Sequence, residues 1–586
     1  MKVERIRTLL VVILLSTNCL AQFPGGFGGG FPGGGGFPGG GGGFGGFGGF
    51  GGRFPITDEQ DQQNRQMPGG FGFPGGNSAG FGGGGGFGMM GGTVQYDGTQ
   101  GNDVEFTSSD LPIVIIETGG KPVTNEEKLE ASMKIIDNGK GKRNRLTDKP
   151  NGYNGRIGIK LRGNSSLFFE QKRFTFETKD DKGKDLDVEL LGMPADNDWV
   201  LLAPYNDISM MRDPFAFDLW NQMGHWAPRN RYCEVVMNGH YIGVYILCEK
   251  IKQGANRLDI AKLKPNDNSG IDITGGYIVR IDPPEGNEPS FTSDVPGITS
   301  MGGGAMGGFG GFGGGMGGFN RVTWTYYYPK ADKITPEQQE YISSYIKEVE
   351  RVIQSDNFAD PDEGYAKYIS VQSFVDYFIH TELSLNADGL KRSAYFYKKK
   401  QNADGTGGKL HAGTVWDYNL AYGNCNFCNA NKIDAWVYEG GETNPTPALW
   451  KRLTEDPAFM AKVKARWKEL RKDILSIDNI NKYIDEHAAQ LAEAQKRQYA
   501  KYTDLLVSES RNQNAGSQNG FGGGFGGGFG GFGGFGGFGG GMMGGFGGGD
   551  AIGMFAAYRV SSYEQEIATL KKWFADRIAF LDSNWM

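Results

Sequence analysis

The chain has 586 residues, 99 of them glycine, with 13% aromatic side chains and a formal net charge of −7. Such a balance, with no clustered basic stretch, leaves no footprint for nucleic acid, and five cysteines are too few for a disulfide-built scaffold. Because the glycines gather in a few tracts, what remains is enough for one large two-lobed body.

Residues 1–21 read as a signal peptide. Lys2, Arg5 and Arg7 precede the apolar run 9–15, and Cys19-Leu20-Ala21 offers small residues for cleavage. The run is too short to span a bilayer, and Ser16-Thr17-Asn18 is a poor match to a lipidation signal at Cys19. A secreted or cell-envelope protein is expected, with no transmembrane segment in the mature chain. Residues 22–92 are Gly/Phe-rich, and the same composition returns within 301–320 and 516–550. Glycine at this density loses too much backbone entropy on ordering to fold alone, so these tracts are expected to be disordered spacers whose phenylalanines could support self-association.

Residues 105–300 read as a β-rich lobe. Ile157, Ile159 and Leu161 alternate with polar residues, as does 173–178, the period of half-buried strands. Asn238-Gly239 lies between two β-rich runs, 232–237 and 241–247, and predicts a hairpin across which Cys233 and Cys248 could pair. One helix is expected near 210–223. Residues 321–515 read as a mainly helical lobe: Thr335 caps a helix from Pro336 toward Gln354, a second covers 365–385, and others fill 447–507. Two strands, near 393–399 and 409–415, are expected beside Asp417. Cys425 and Cys428 are spaced for a disulfide, a redox pair or half a zinc site. In 551–586 the pattern Ser561-x-x-Glu564 opens a last helix, and Ile567, Leu570, Phe574, Ile578 and Leu581 give it an apolar face to dock on the body, which makes the third tract a loop insertion.

Asp388 and Asp417 each follow an apolar or aromatic segment and precede turn-forming residues, where a scaffold can hold a carboxylate at the rim of a cleft. Two such carboxylates can bind a divalent metal or a transferable proton. Far upstream, a strand runs into the polar turn Arg162-Gly163-Asn164-Ser165-Ser166, with Lys172 just beyond. A phosphate-cradling loop, a following lysine, one Asp for the nucleophile and one for the metal is the order of parts in a kinase. In that reading Arg162 and the amides of Gly163, Asn164, Ser165 and Ser166 supply phosphate donors, and Lys172 adds a point charge. Asp207 and Arg212 either reach the phosphate site or pair with each other, Arg212 being the better functional candidate. Glu249 ends an apolar strand, where it could meet nucleotide or be an exposed charge. Glu382 continues the apolar stripe of Val371, Val375 and Phe378, so its carboxylate needs a partner, structural or catalytic.

Arg162-Gly163-Asn164-Ser165-Ser166, the stretch from Trp199 through Asp207 to Arg212, the hairpin ending in Glu249, Asn386-Ala387-Asp388-Gly389 and Trp416-Asp417 together resemble the CotH family of spore-coat-type kinases. The resemblance implies an α+β, two-lobed atypical protein-kinase-like fold with a β-rich N-lobe and a helical C-lobe, interrupted by the glycine tracts. It implies ATP with Mg²⁺ or Mn²⁺ as cofactor and an extracytoplasmic protein bearing Ser or Thr as acceptor. Asp388 would orient or deprotonate the acceptor hydroxyl, Lys391 or Arg392 would touch the transferred phosphate, and Asp417 would hold the metal. One departure stands out: many family members carry Asn five residues after the first Asp, where this chain has Ser393. Asn386 or Asn419 could substitute as metal ligand. Two rivals remain, a surface or matrix protein with a pseudokinase body, and a carboxylate-pair glycosidase, for which no aromatic-lined sugar cleft is suggested. The first tract holds only Thr57 and Ser78 as hydroxyl residues, and 302–318 and 520–549 hold none, so the tracts are poor phosphate acceptors.

Overall fold

The computed structural model describes residues 93–298, 321–426, 428–440, 446–506 and 558–586. The signal segment 1–21 and the glycine tracts 22–92, 302–318 and 520–549 lie outside the described residues. Seven strands close into a barrel: β1 Ile113–Glu117, β2 Leu129–Ile136, β3 Tyr153–Arg162, β4 Arg173–Lys179, β5 Asp198–Leu202, β6 Asn230–Met237 and β7 His240–Glu249. Around the barrel they run β5-β7-β6-β1-β2-β3-β4, with β4 returning to β5. The expected alternation holds, since Ile157, Ile159, Leu161, Phe174 and Phe176 fill one buried cluster with Trp199 and Val235. A closed barrel leaves no free sheet edge.

At the β6–β7 turn, Asn238 and Gly239 both take positive φ, 50° and 83°, the conformation a tight right-twisting hairpin needs. The proposed Cys233–Cys248 pair is not formed. A bulge shifts the register so that Cys233 faces Tyr245 and Cys248 faces Asn230. Cys233 packs in the barrel cluster and Cys248 in the larger core outside it, so two buried thiols sit on opposite faces of the sheet.

The part of the chain after the barrel is less purely helical than its sequence suggests. It contains a five-stranded sheet of β8 Tyr277–Ile281, β9 Ser290–Pro296, β10 Arg321–Tyr328, β11 Ala394–Lys398 and β12 Leu410–Ala412, in the order β9-β10-β8-β11-β12. The strand β10, Arg-Val-Thr-Trp-Thr-Tyr-Tyr-Tyr, is β-branched and aromatic throughout but was obscured by the tract before it. Residues 301–320 fall between β9 and β10, which pair with each other, so both flanks of that insertion are anchored to one sheet.

Among the described residues the helices are α1 Arg212–Gln222, α2 Pro336–Gln354, α3 Val371–Ser384, α4 Ala448–Thr454, α5 Pro457–Leu470, α6 Ile477–Leu491, α7 Ala494–Lys501 and α8 Tyr563–Trp585. Helix α2 begins as expected, with a reciprocal capping box between Thr335 and Gln338. The expected 365–385 helix is a short 3₁₀ turn, Tyr365–Lys367, followed by α3. The cap of α8 is Ser562, which accepts from Gln565 N, one residue later than the sequence pattern places it. Leu570, Phe574, Ile578, Leu581 and Trp585 of α8 are buried in the large core beside Phe378 and Trp467. Among the described residues no helix is long and apolar enough to cross a membrane.

Candidate active site

One cleft gathers most of the residues that the sequence singles out. Its lining includes the turn Arg162, Gly163, Asn164, Ser165 and Ser166, both Asp388 and Asp417, and Asn419. Its empty volume is about 1160 Å³, open mouth included. The turn follows from β3 ending at Arg162: Gly163 has φ 104°, and a Cβ there would lie 1.9 Å from Ser166 Oγ, so only glycine lets the chain fold back so tightly. Arg162 lies over the indole of Trp416, 4.8 Å from the ring centroid, which links the turn to the segment carrying Asp417.

Asp417 has φ 58°, in the left-handed region. The neighbouring amide of Tyr418 donates to Asp213 Oδ1 at 2.6 Å, fixing the segment against α1. Arg173, at the start of β4 and opposite Arg162 in register, donates to Asp417 Oδ1 at 3.0 Å and stands 4.0 Å from Asp213. Asp213 is fully enclosed, and burial pushes its pKa up to about 7 against the pull of Arg173. Asp388 lies in a turn that closes on itself. Asn386 Oδ1 accepts from Asp388 N at 3.1 Å, and the amides of Lys391 and Arg392 donate to Asp388 O at 2.9 and 2.8 Å. Burial raises the pKa of Asp388, opposed by Arg392 and Lys391.

Among the cleft residues not singled out from sequence are Arg173, Arg280 and Asp282. Arg280 and Asp282 come from the end of β8, where Ile281 pairs with Ala394. Ser393 Oγ lies 3.4 Å from Asp282 Oδ2 and 3.2 Å from Asp417 Oδ2, and Arg392 Nε is 3.7 Å from Asp282 Oδ1. Burial lifts the pKa of Asp282 to about 7; Arg280 and Arg392 pull it down, and Asp417 pushes it up. The signal for this carboxylate was present, a fully buried strand Tyr-Ile-Val-Arg-Ile broken by Asp282-Pro283-Pro284, but it carries no recognisable motif.

Five expected ligands are placed elsewhere. Lys172 does not line the cleft: its ammonium donates to the carbonyl of Leu167 at 2.8 Å and to that of Phe169, bracing the turn Ser165–Phe168 from behind. Burial lowers its pKa to about 8. Arg212 is buried among Asp207, Glu566 at 2.8 Å and Tyr558 at 2.8 Å, which is the pairing with Asp207 that the sequence offers as the alternative, and it is not part of the cleft lining. Glu249 is buried between Arg229 and Arg257. Lys391 directs Nζ at Cys428 Sγ, 3.2 Å away, while its neighbour Arg392 lines the cleft. Asn386 donates to Asp417 O at 3.4 Å and so ties the two Asp-bearing segments together from beneath. Glu382 accepts from the amides of Val437 and Tyr438, both at 2.9 Å, and faces Arg577 at 3.5 Å, a structural partner on α8.

Among the described residues no three His, Cys, Asp or Glu side chains converge tightly enough to hold a metal ion by themselves. A cation bound through one or two carboxylates plus phosphate oxygens needs no such cage. The donor set of Asp417, Asp282 and the amide of Asn419 fits that type of site, with Arg162, Arg173, Arg280 and Arg392 around it for anionic oxygens. The protein is thus an α+β body with a barrel and a cleft in which carboxylates face guanidinium groups. The family model described as CotH kinase protein matches residues 159–581, and the chain belongs to the CotH kinase family. No curated protein matches the chain.

Proposed function

We propose that the protein is a kinase that moves a phosphoryl group from a nucleoside triphosphate to a Ser or Thr hydroxyl of another protein. The observation that carries this reading is the convergence of Asp388, Asp417 and the Arg162–Ser166 turn on one cleft, although they are far apart in sequence. In this reading the fold is a two-lobed, kinase-like one. The barrel with α1 covers the nucleotide, and the body bearing Asp388 and Asp417 supplies the catalytic groups.

The roles follow from charge and position. Arg162, with Trp416 fixing its plane, and the amides of Gly163 to Ser166 bind phosphate oxygens. Arg173 lies beside Asp417 and can turn to phosphate when Asp417 takes another partner. Asp388 accepts the proton of the acceptor hydroxyl as its oxygen bonds to the terminal phosphorus and the bond to the bridging oxygen of the leaving diphosphate breaks; a pKa raised by burial suits a base. Asp417 would hold Mg²⁺ or Mn²⁺, whose charge would offset that of the phosphates. Arg392, the residue after Lys391, lines the cleft with Asp388 and is the cation that reaches the transferred group.

Residues 1–21 support export to the cell envelope or beyond, and the acceptor is then an envelope or secreted protein with accessible Ser or Thr. The glycine tracts serve as spacers or as self-association segments. A second reading, a pseudokinase that binds ligand without transfer, is favoured by Ser393 standing where the family carries Asn. Incubation with γ-labelled ATP, Mn²⁺ and an extracytoplasmic protein fraction tests the two: label on protein Ser or Thr that vanishes in Asp388→Asn supports transfer, and nucleotide binding without label supports the pseudokinase.

A further inference from the structure

Ser393 sits beside two carboxylates that come from different elements of the fold. Ile281 on β8 pairs with Ala394 on β11 in an antiparallel ladder, so the next residue along β8, Asp282, falls opposite Ser393. That register brings the Asp282 carboxylate to the serine, 3.4 Å from Oγ, and the same hydroxyl stands 3.2 Å from Asp417. A serine hydroxyl has one proton. It can donate to only one of the two carboxylates at a time, and the other is left to its guanidinium neighbour. Shortening Asn to Ser removes a side-chain carbonyl from the site, and it leaves room in which a carboxylate from the neighbouring strand approaches.

A second observation points to what the pair holds. Arg280 lies two residues before Asp282 on the same strand and lines the same cleft. Its side chain is 6% exposed, and its buried Nε meets no hydrogen-bond acceptor among the described residues, although its terminal nitrogens reach Glu288 and Tyr395. A buried guanidinium N–H without an acceptor is costly, and an anionic oxygen in the cleft would satisfy it. The end of β8 thus offers a carboxylate for a cation and, one side-chain repeat away, a guanidinium for the phosphate bound to that cation.

We propose that Asp282 is the second protein ligand of the divalent cation held by Asp417, taking the place that Asn holds in relatives and Ser393 vacates. The assignment rests on the kinase-type reading of the cleft. Because a hard cation prefers oxygen donors, a carboxylate at this place raises affinity, where an amide would supply only a neutral oxygen. The hydroxyl of Ser393 then positions the two carboxylates.

The test is Mn²⁺ titration of the full chain in the presence of ADP, followed by the loss of the free-Mn²⁺ electron paramagnetic resonance signal, with metal-free ADP binding measured in parallel. Asp282→Asn is expected to weaken Mn²⁺ at least tenfold while metal-free ADP affinity stays within about twofold, and Ser393→Asn in that background should recover most of the loss. Unchanged Mn²⁺ affinity in Asp282→Asn overturns the assignment and leaves the kinase reading standing. No Mn²⁺ uptake by the wild-type ADP complex overturns both. Ser393→Asn in the native chain keeps the experiment decisive if Asp282→Asn does not fold, because φ at this position is 49° and Asn tolerates the left-handed region better than Ser. It should bind Mn²⁺ at least threefold more tightly, and an unchanged affinity counts against the proposal.

Discussion

Arg212 and Arg173 are both arginines paired with aspartate, yet their surroundings differ completely. The side chain of Arg212 is 0% exposed and those of its partners Asp207 and Glu566 are 3% and 1% exposed. Arg173 is almost as enclosed, but its partner Asp417 keeps 33% of its side chain open to the cleft. A sealed group of this kind is stabilising only while every member is present, because each lone charge is stranded in low dielectric. An ion pair with one open face can exchange a partner for a ligand. Identical chemistry therefore serves the fold at α1 and is available for function at the cleft, and solvent access decides which.

The comparison breaks or holds on stability. Arg212→Met strands Asp207 and Glu566 and should cost about 3–5 kcal/mol in urea unfolding. Asp417→Asn, which keeps the shape and tolerates positive φ, should change stability by less than about 1 kcal/mol. Equal losses in the two variants would mean that the cleft is as structural as the sealed cluster.

Glu350 belongs to the sealed side as a buried carboxylate without a contacting cation among the described residues: Ser293 donates at 2.7 Å and Trp324 at 3.2 Å. Burial raises its pKa to about 7. The folded state then binds the proton more tightly than the unfolded chain, so this contribution to stability is full below the unfolded carboxylate pKa and is lost as pH rises through about 7. Glu350→Gln should flatten the loss and at pH 8 gain on the order of 3 kcal/mol relative to wild type. Parallel wild-type and variant curves of unfolding free energy from pH 4.5 to 8 would contradict it.

The smallest effects lie at two adjacent residues on either side of the cleft wall. Lys172→Met removes the brace behind the Ser165–Phe168 turn and should cost about 1–2 kcal/mol with nucleotide affinity changed by less than tenfold. Arg173→Met should do the reverse, with the larger loss in affinity measured by calorimetry.

These neighbours also show what could be read in advance. The barrel strands, the Asn238-Gly239 hairpin and the Thr335 cap were legible because their signals are local: a two-residue period, a turn dipeptide, a reciprocal cap. Asp388, Asp417 and the Arg162–Ser166 turn were legible as motifs. Lys172 and Arg173 differ by one position, and only the strand register decides which enters the cleft. Arg212, Glu249 and Lys391 lie in or beside the motif segments, but they face Glu566, Arg257 and Cys428, pairings that no spacing along the chain encodes. Asp282 was missed for the same reason: its importance comes from standing opposite Ser393 across a sheet, and no spacing along the chain encodes that.

The account stands most directly on whether the cleft binds nucleotide through a metal. Isothermal titration of ATP into the protein, with and without Mn²⁺, compares wild type with Asp417→Asn. Wild type should bind ATP at least tenfold more tightly with Mn²⁺ present, and Asp417→Asn should lose that enhancement while keeping the weaker metal-free binding that the arginines provide. A wild-type affinity indifferent to Mn²⁺, or an Asp417→Asn variant with the full enhancement, would contradict it.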